Sequence, residues 1–188
     1  MPVPFTLPDG LAPEIYPLAW LVGRWSGEGV VEHPEVPRTR MISEVLVSHD
    51  GGPYLTWEST LRLVPEPSDG AGGDDDGVAD PVGQVWSRES GFWRVPADRP
   101  QDVPADKHPV ELLLTDPAGH LALYAGVVGN GRIDLVSDLI ARTPDAVEVS
   151  AATRLYGLVD GDLLWTWDLA AFGLPLQSYA SAQLERVG

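Results

Sequence analysis

Tight turns constrain this chain more than any other feature. His49-Asp50-Gly51-Gly52, Asp116-Pro117-Ala118-Gly119, Gly129-Asn130-Gly131, Asp160-Gly161 and Gly173-Leu174-Pro175 cut the sequence into short segments. Connections this brief join antiparallel neighbours, because a parallel crossover needs roughly a dozen residues or more. The segments read as strands over 25–32, 39–49, 54–64, 84–95, 110–115, 120–128, 132–140, 147–158, 163–171 and 177–186. Two of them show the alternation of a half-buried strand plainly. Met41, Val45 and Val47 share a face opposite Arg40 and Glu44, and Leu163, Trp165, Trp167 and Leu169 form an apolar face opposite Thr166 and Asp168.

Strands joined in this way must dispose of their edges, and an up-and-down meander does so most simply by closing into a barrel. The expected fold is therefore all-β: a ten-stranded antiparallel up-and-down barrel with a short N-terminal helix. A barrel of that width leaves an internal cavity. A two-sheet sandwich is the alternative that alternation alone leaves open.

The helix is expected in Pro17-Leu18-Ala19-Trp20-Leu21-Val22-Gly23, where Leu18, Leu21 and Val22 lie on one side for one or two turns. Before it, residues 1–17 carry five prolines and read as an extended arm. Residues 65–82 are rich in Gly, Asp and Pro and read as a flexible acidic loop. The Asp74-Asp75-Asp76-Gly77 run inside it lacks the alternate ligands and distal Glu of a calcium loop. The strand pattern resumes unchanged after it and after the irregular 96–109 stretch, so one domain is expected over 1–188.

Composition excludes several functions. Lys and Arg number 12 against 28 Asp and Glu, a formal charge of −16 with no basic cluster, so neither nucleic acid nor an anionic membrane is an expected partner. Without cysteine there is no disulfide, thiolate metal site or cysteine nucleophile. The opening residues lack a signal-peptide pattern and no apolar run is long enough for a spanning helix, so a cytoplasmic location is expected. No G-x-S-x-G setting or spaced histidine pair nominates a catalytic residue or a metal site.

Gly23-Arg24-Trp25-Ser26-Gly27-Glu28-Gly29 reads GxWxGxG and resembles the signature of the nitrobindin family. Leu18 to Gly23 is similar to the family's entry helix, and Glu89-Ser90-Gly91-Phe92-Trp93-Arg94 to its E-x-G-aromatic-x-R strand. Pro117-Ala118-Gly119 falls where members carry a P-x-G turn, Arg154 where they carry an Arg, and Pro175 to Arg186 resembles the closing strand. The resemblance implies a fatty-acid-binding-protein-like barrel; many members bind haem b and convert peroxynitrite to nitrate. In the motif, Trp25 is expected to plug one end of the barrel, with Gly23, Gly27 and Gly29 permitting close backbone approach.

Two positions depart from the family pattern. Haem-binding members read P-L-x-x-H-x-x-A in the closing strand, where that His holds the iron, and here the position is Tyr179. A second His often found two residues before the Glu is here Ser87. The four histidines, His33, His49, His108 and His120, all fall in or beside turns. The expectation is a haem-free barrel, without metal, whose residual cavity takes a small apolar ligand. Its expected lining is Ser87, Glu89, Arg154, Tyr179 and Ser181, with Glu89 paired to Arg94 or Arg154. Two alternatives stand beside it: a haem-b peroxynitrite isomerase in which Tyr179 is the axial ligand as tyrosinate, and a non-catalytic scaffold or interaction module.

Overall fold

Pro13 opens a 3-10 helix that runs to Leu21, and its sequence explains both its type and its orientation. Proline is tolerated at a first helical position, and Pro17 inside the segment disfavours a regular α-helix. In a 3-10 helix residues three apart eclipse one another, and Ile15, Leu18 and Leu21 form a fully buried line. The expected extended arm therefore gives way to helix at Pro13. The computed structural model describes residues 7–64 and 83–187. The acidic segment 65–82 and the first six residues of the arm lie outside the described residues.

Ten strands follow: β1 (Gly23–His33), β2 (Val36–Ser48), β3 (Leu55–Leu63), β4 (Val85–Arg94), β5 (His108–Thr115), β6 (His120–Gly129), β7 (Arg132–Arg142), β8 (Val149–Val159), β9 (Asp162–Ala171) and β10 (Gln177–Arg186). Each expected strand is present, with its ends displaced by at most three residues. Every strand pairs antiparallel with its chain neighbour, and β1 pairs with β10 to close the barrel, which rules out the sandwich. The closing seam runs from Trp25 opposite Arg186 to Val31 opposite Ala180. Glycine is required there: a Cβ at Gly27 would strike the Gln183 carbonyl and Leu184 backbone, and one at Gly29 the Ser181 carbonyl. Among the described residues no helix is long and apolar enough to cross a membrane.

The two ends of the barrel differ. At the helix end Trp25 is 0% exposed and donates Nε1–H to the Leu21 carbonyl at 2.8 Å. The Arg186 guanidinium lies 4.0 Å from the Trp25 ring centroid and donates to the Trp20 carbonyl at 2.9 Å and to the Val22 carbonyl, tying β10 to the helix exit. Behind this plug Trp57, Trp93 and Tyr156 pack edge to face, with ring centroids 5.4 to 5.6 Å apart. At the other end, where β4, β6, β8 and β10 begin and β5, β7 and β9 finish, the interior is hollow.

Candidate functional site

The hollow end holds a pocket of about 290 Å³. Among its lining are Glu89 from β4 and Arg154 from β8, 8% and 6% exposed, joined by a two-pronged ion pair. Arg154 Nη1 donates to Glu89 Oε2 at 2.9 Å and Nη2 to Oε1, while Nη1 also reaches the Tyr156 hydroxyl at 3.4 Å. The guanidinium carbon lies 4.2 Å from the Trp167 ring centroid and 5.1 Å from that of Tyr124. Burial alone would push the Arg154 pKa down, but the adjacent Glu89 carboxylate outweighs it and holds the guanidinium charged. Burial pushes Tyr156 up to about 12, against the opposing influence of Arg154. Of the two arginines expected as partners of Glu89, Arg154 is the one used; Arg94 lies on the outer wall, 3.7 Å from Glu111.

Tyr179 enters the pocket through a break in the β10 ladder. Ser178 pairs with Asp168 and Ala180 with Trp167, so Tyr179 is the extra residue of a β-bulge. Its ring meets Trp167 edge to face at 5.0 Å, and its hydroxyl accepts the Trp86 Nε1–H at 2.8 Å. Burial raises the Tyr179 pKa; the Trp86 hydrogen bond opposes this and the Glu89 charge adds to it, so the phenol keeps its proton at neutral pH.

The bulge also corrects one expectation. Strict alternation puts Tyr179 and Ser181 on the same face, but the extra residue breaks that parity. Ala180 and Leu184 face the core, whereas Ser181 pairs with Val30 and Thr166 and lines a shallow outer groove beside Glu28. The structure thus brings Ser87, Glu89, Arg154 and Tyr179 around one pocket and leaves Ser181 outside it. The motif residues Gly23, Trp25, Gly27 and Gly29 lie on β1, where Trp25 belongs to the packed end.

Sequence reasoning missed His120, Tyr124, Trp86 and Phe172, which also line the pocket. His120 opens β6, with Nδ1 3.0 Å from an Asp116 carboxylate oxygen and Nε2 2.8 Å from the Val147 carbonyl. It ties the β5–β6 turn to the β7–β8 loop at the rim. Its Asp116 neighbour, four residues earlier, was a visible signal; Val147, much farther along the chain, was not. Tyr124 was hidden because both faces of β6 carry apolar residues. His33 ends β1 as a buried residue packed on Phe172 and Tyr179, with ring centroids 5.3 and 6.2 Å away.

A closed β-barrel packed at one end and hollow at the other, with aromatic walls and a neutralised ion pair inside, has the architecture of barrels that enclose small ligands. Residues 14–186 match the family model described as THAP4-like, heme-binding beta-barrel domain. The chain belongs to that family, the nitrobindin family of the motifs above. It is 43% identical to a ferric nitrobindin-like protein of Beutenbergia cavernae, over 97% of this chain and 99% of that protein. It is 36% identical to a peroxynitrite isomerase of a Nocardioides species, over 98% of this chain and 99% of that protein. The crystal structure of Rv2717c from M. tuberculosis superposes with a TM-score of 0.73 at 29% identity, covering 95% of this chain and 99% of that one.

Haem is the group the family implies, and haem iron is held by a donor such as an imidazole nitrogen or tyrosinate. Of three lining donors, His120 has both nitrogens engaged at the rim, the Tyr179 hydroxyl is bonded to Trp86, and Tyr124 lies with its ring against Arg154. Arg154, the cation best placed to draw the phenol into its anionic form, is committed to Glu89. The pocket volume lies at the small end of the roughly 300–1,000 Å³ usual for ligand sites. As arranged, neither His120 nor Tyr179 presents a free donor atom to a ferric iron.

Proposed function

We propose that this barrel binds a small, partly apolar ligand in the pocket of Ser87, Glu89, Arg154 and Tyr179, without holding haem iron through residue 179. In this reading Tyr179 stands where haem-binding relatives carry their iron-ligating histidine. The observation that carries it is that the Tyr179 oxygen already accepts the Trp86 Nε1–H at 2.8 Å. Ionising Tyr179 for iron would add a second negative charge to the half-buried pocket that holds Glu89. Titrating the purified protein with hemin tests this: the expected result is the absorbance of free hemin with no saturable band. A sharp one-to-one Soret band that disappears in Tyr179→Phe would sink the proposal.

A second reading rests on the comparisons. The family model is described as haem-binding and several relatives are named peroxynitrite isomerase. On that reading the pocket takes haem b, Tyr179 is its axial ligand, and the chain isomerises peroxynitrite. The same Soret titration, followed by peroxynitrite decay with the loaded protein, separates the two.

A further inference from the structure

The barrel wall parts between β7 and β8 beside the pocket. Their ladder runs from Arg132 opposite Gly157 to Val136 opposite Thr153 and ends there, although both strands extend further toward the hollow end. Each strand carries a bulge where they part. Leu123 and Tyr124 pair with Leu139 and Ser137, so Asp138 is the extra residue of β7. Val149 and Ala151 pair with Ala171 and Ala170, so Ser150 is the extra residue of β8. Bulges of this kind terminate pairing and bend a strand aside. At the foot of the slit the Ala152 N–H donates to the Ser137 hydroxyl oxygen at 2.9 Å. Beyond it lies a polar cleft of about 350 Å³, and Ile140 and Val149 line both that cleft and the pocket.

His120 bridges the slit at the rim. Its Nδ1 lies 3.0 Å from an Asp116 carboxylate oxygen, and its Nε2 lies 2.8 Å from the carbonyl of Val147, in the loop that leads into β8. Both partners are acceptors, so both ring nitrogens donate only when the imidazole carries two protons. A neutral ring keeps one. The carboxylate is the stronger acceptor, and the His120 backbone N–H holds it in place at 3.0 Å, so the remaining proton stays on Nδ1. Nε2 then turns a lone pair toward the Val147 carbonyl, and the contact becomes repulsive. The other titratable groups around it are engaged elsewhere. Arg142, opposite His120 in the ladder, donates to the Thr143 and Ala146 carbonyls at 3.3 Å and lies 3.7 Å from Glu148. Asp145 is bonded to Thr143, Glu89 is paired with Arg154, and Tyr179 is bonded to Trp86. We infer that the β7–β8 slit is the movable wall of the pocket and that His120 is its latch, shut while the imidazole is doubly protonated and released when it loses a proton. The latch acts on the wall whatever the pocket holds.

Hydrogen exchange of the unaltered full chain tests it, read by mass spectrometry at about pH 5 and about pH 8, either side of the range in which histidine charge changes. Rates are corrected for the intrinsic pH dependence of exchange. Peptides covering 143–152 should lose roughly tenfold of their protection at the higher pH, the return on one hydrogen bond to a charged group, while peptides of the β1–β2 hairpin keep theirs. In His120→Gln, whose side chain does not titrate, that step should vanish. Equal protection of 143–152 at both pH values in the unaltered chain would overturn the inference. So would a step that survives in His120→Gln, since His33, His49 or His108 would then carry it. Imidazole nitrogen spectra give a readout that needs no variant: His120 should show two N–H groups at about pH 5 and one, on Nδ1, at about pH 8. The same number at both would overturn the latch. No ligand enters either measurement, so their failure would leave the small-ligand reading standing.

Discussion

Removing one partner of the Glu89–Arg154 pair should be among the most damaging single changes this barrel can suffer. Glu89→Gln keeps the shape of the side chain and deletes its charge. Arg154, 6% exposed, would keep its contacts with Trp167 and Tyr124 but lose the carboxylate that compensates its charge. Breaking a buried pair in this way costs about 3–5 kcal/mol, because the surviving ion cannot recover its hydration. The aromatic contacts recover up to ~2 kcal/mol of desolvated cation–π attraction only if they strengthen, and they are already made in the intact protein. The expected loss is therefore about 3 kcal/mol or more, a large fraction of the ~5–15 kcal/mol that holds a typical domain together. Urea unfolding followed by tryptophan fluorescence reads it as a fall in midpoint at constant slope. The double variant Glu89→Gln with Arg154→Met, which leaves no lone charge, should recover most of the loss. If Glu89→Gln costs less than about 1 kcal/mol, the pair is solvated and the account of a buried, mutually neutralising pair is wrong.

Trp25→Ala should cost about 3–5 kcal/mol in the same assay, the usual loss for a buried aromatic, and a change below ~0.5 kcal/mol would show that Trp25 does not plug the barrel. Alkaline pH should destabilise the fold through Tyr156. Its pKa rises on folding from 10.0 to about 12, so its contribution is complete below pH 10 and is lost as pH climbs through 12. That loss amounts to roughly 2–3 kcal/mol, and Tyr156→Phe should flatten the stability profile across the window. An unchanged profile would contradict the burial assigned to that phenol.

Backbone architecture was legible in the sequence because it depends on local signals. Asn130-Gly131 and Asp160-Gly161 are recognisable hairpin turns, and Asn130 and Asp160 do adopt positive φ, at 52° and 54°. The site was legible only in part. Glu89 and Arg154 are separated by 65 residues, and alternation on β4 and β8 places each on a face without saying that the faces meet. Ser181 was misplaced because a bulge inserts one residue into a period-two pattern, and no Gly or Pro at 178–180 announces it. His120 read as a turn residue because its turn is what it organises.

The closing strand performs opposite tasks at its two ends, and this separates stability from binding in the molecule. Its C-terminal half seals the barrel: Leu184 is buried against the core, Gly27 and Gly29 let the seam close, and Arg186 clamps the helix exit. Its N-terminal half departs from the ladder at Tyr179 and gives up regular pairing there to turn a large side chain inward. A bulge held in place by packing against Trp167 and a hydrogen bond from Trp86 gives little to global stability but decides what the pocket presents to a ligand. Substitutions near Tyr179 should therefore change ligand preference with little effect on unfolding, whereas substitutions along the Gly27 seam should unfold the protein before they alter what it binds.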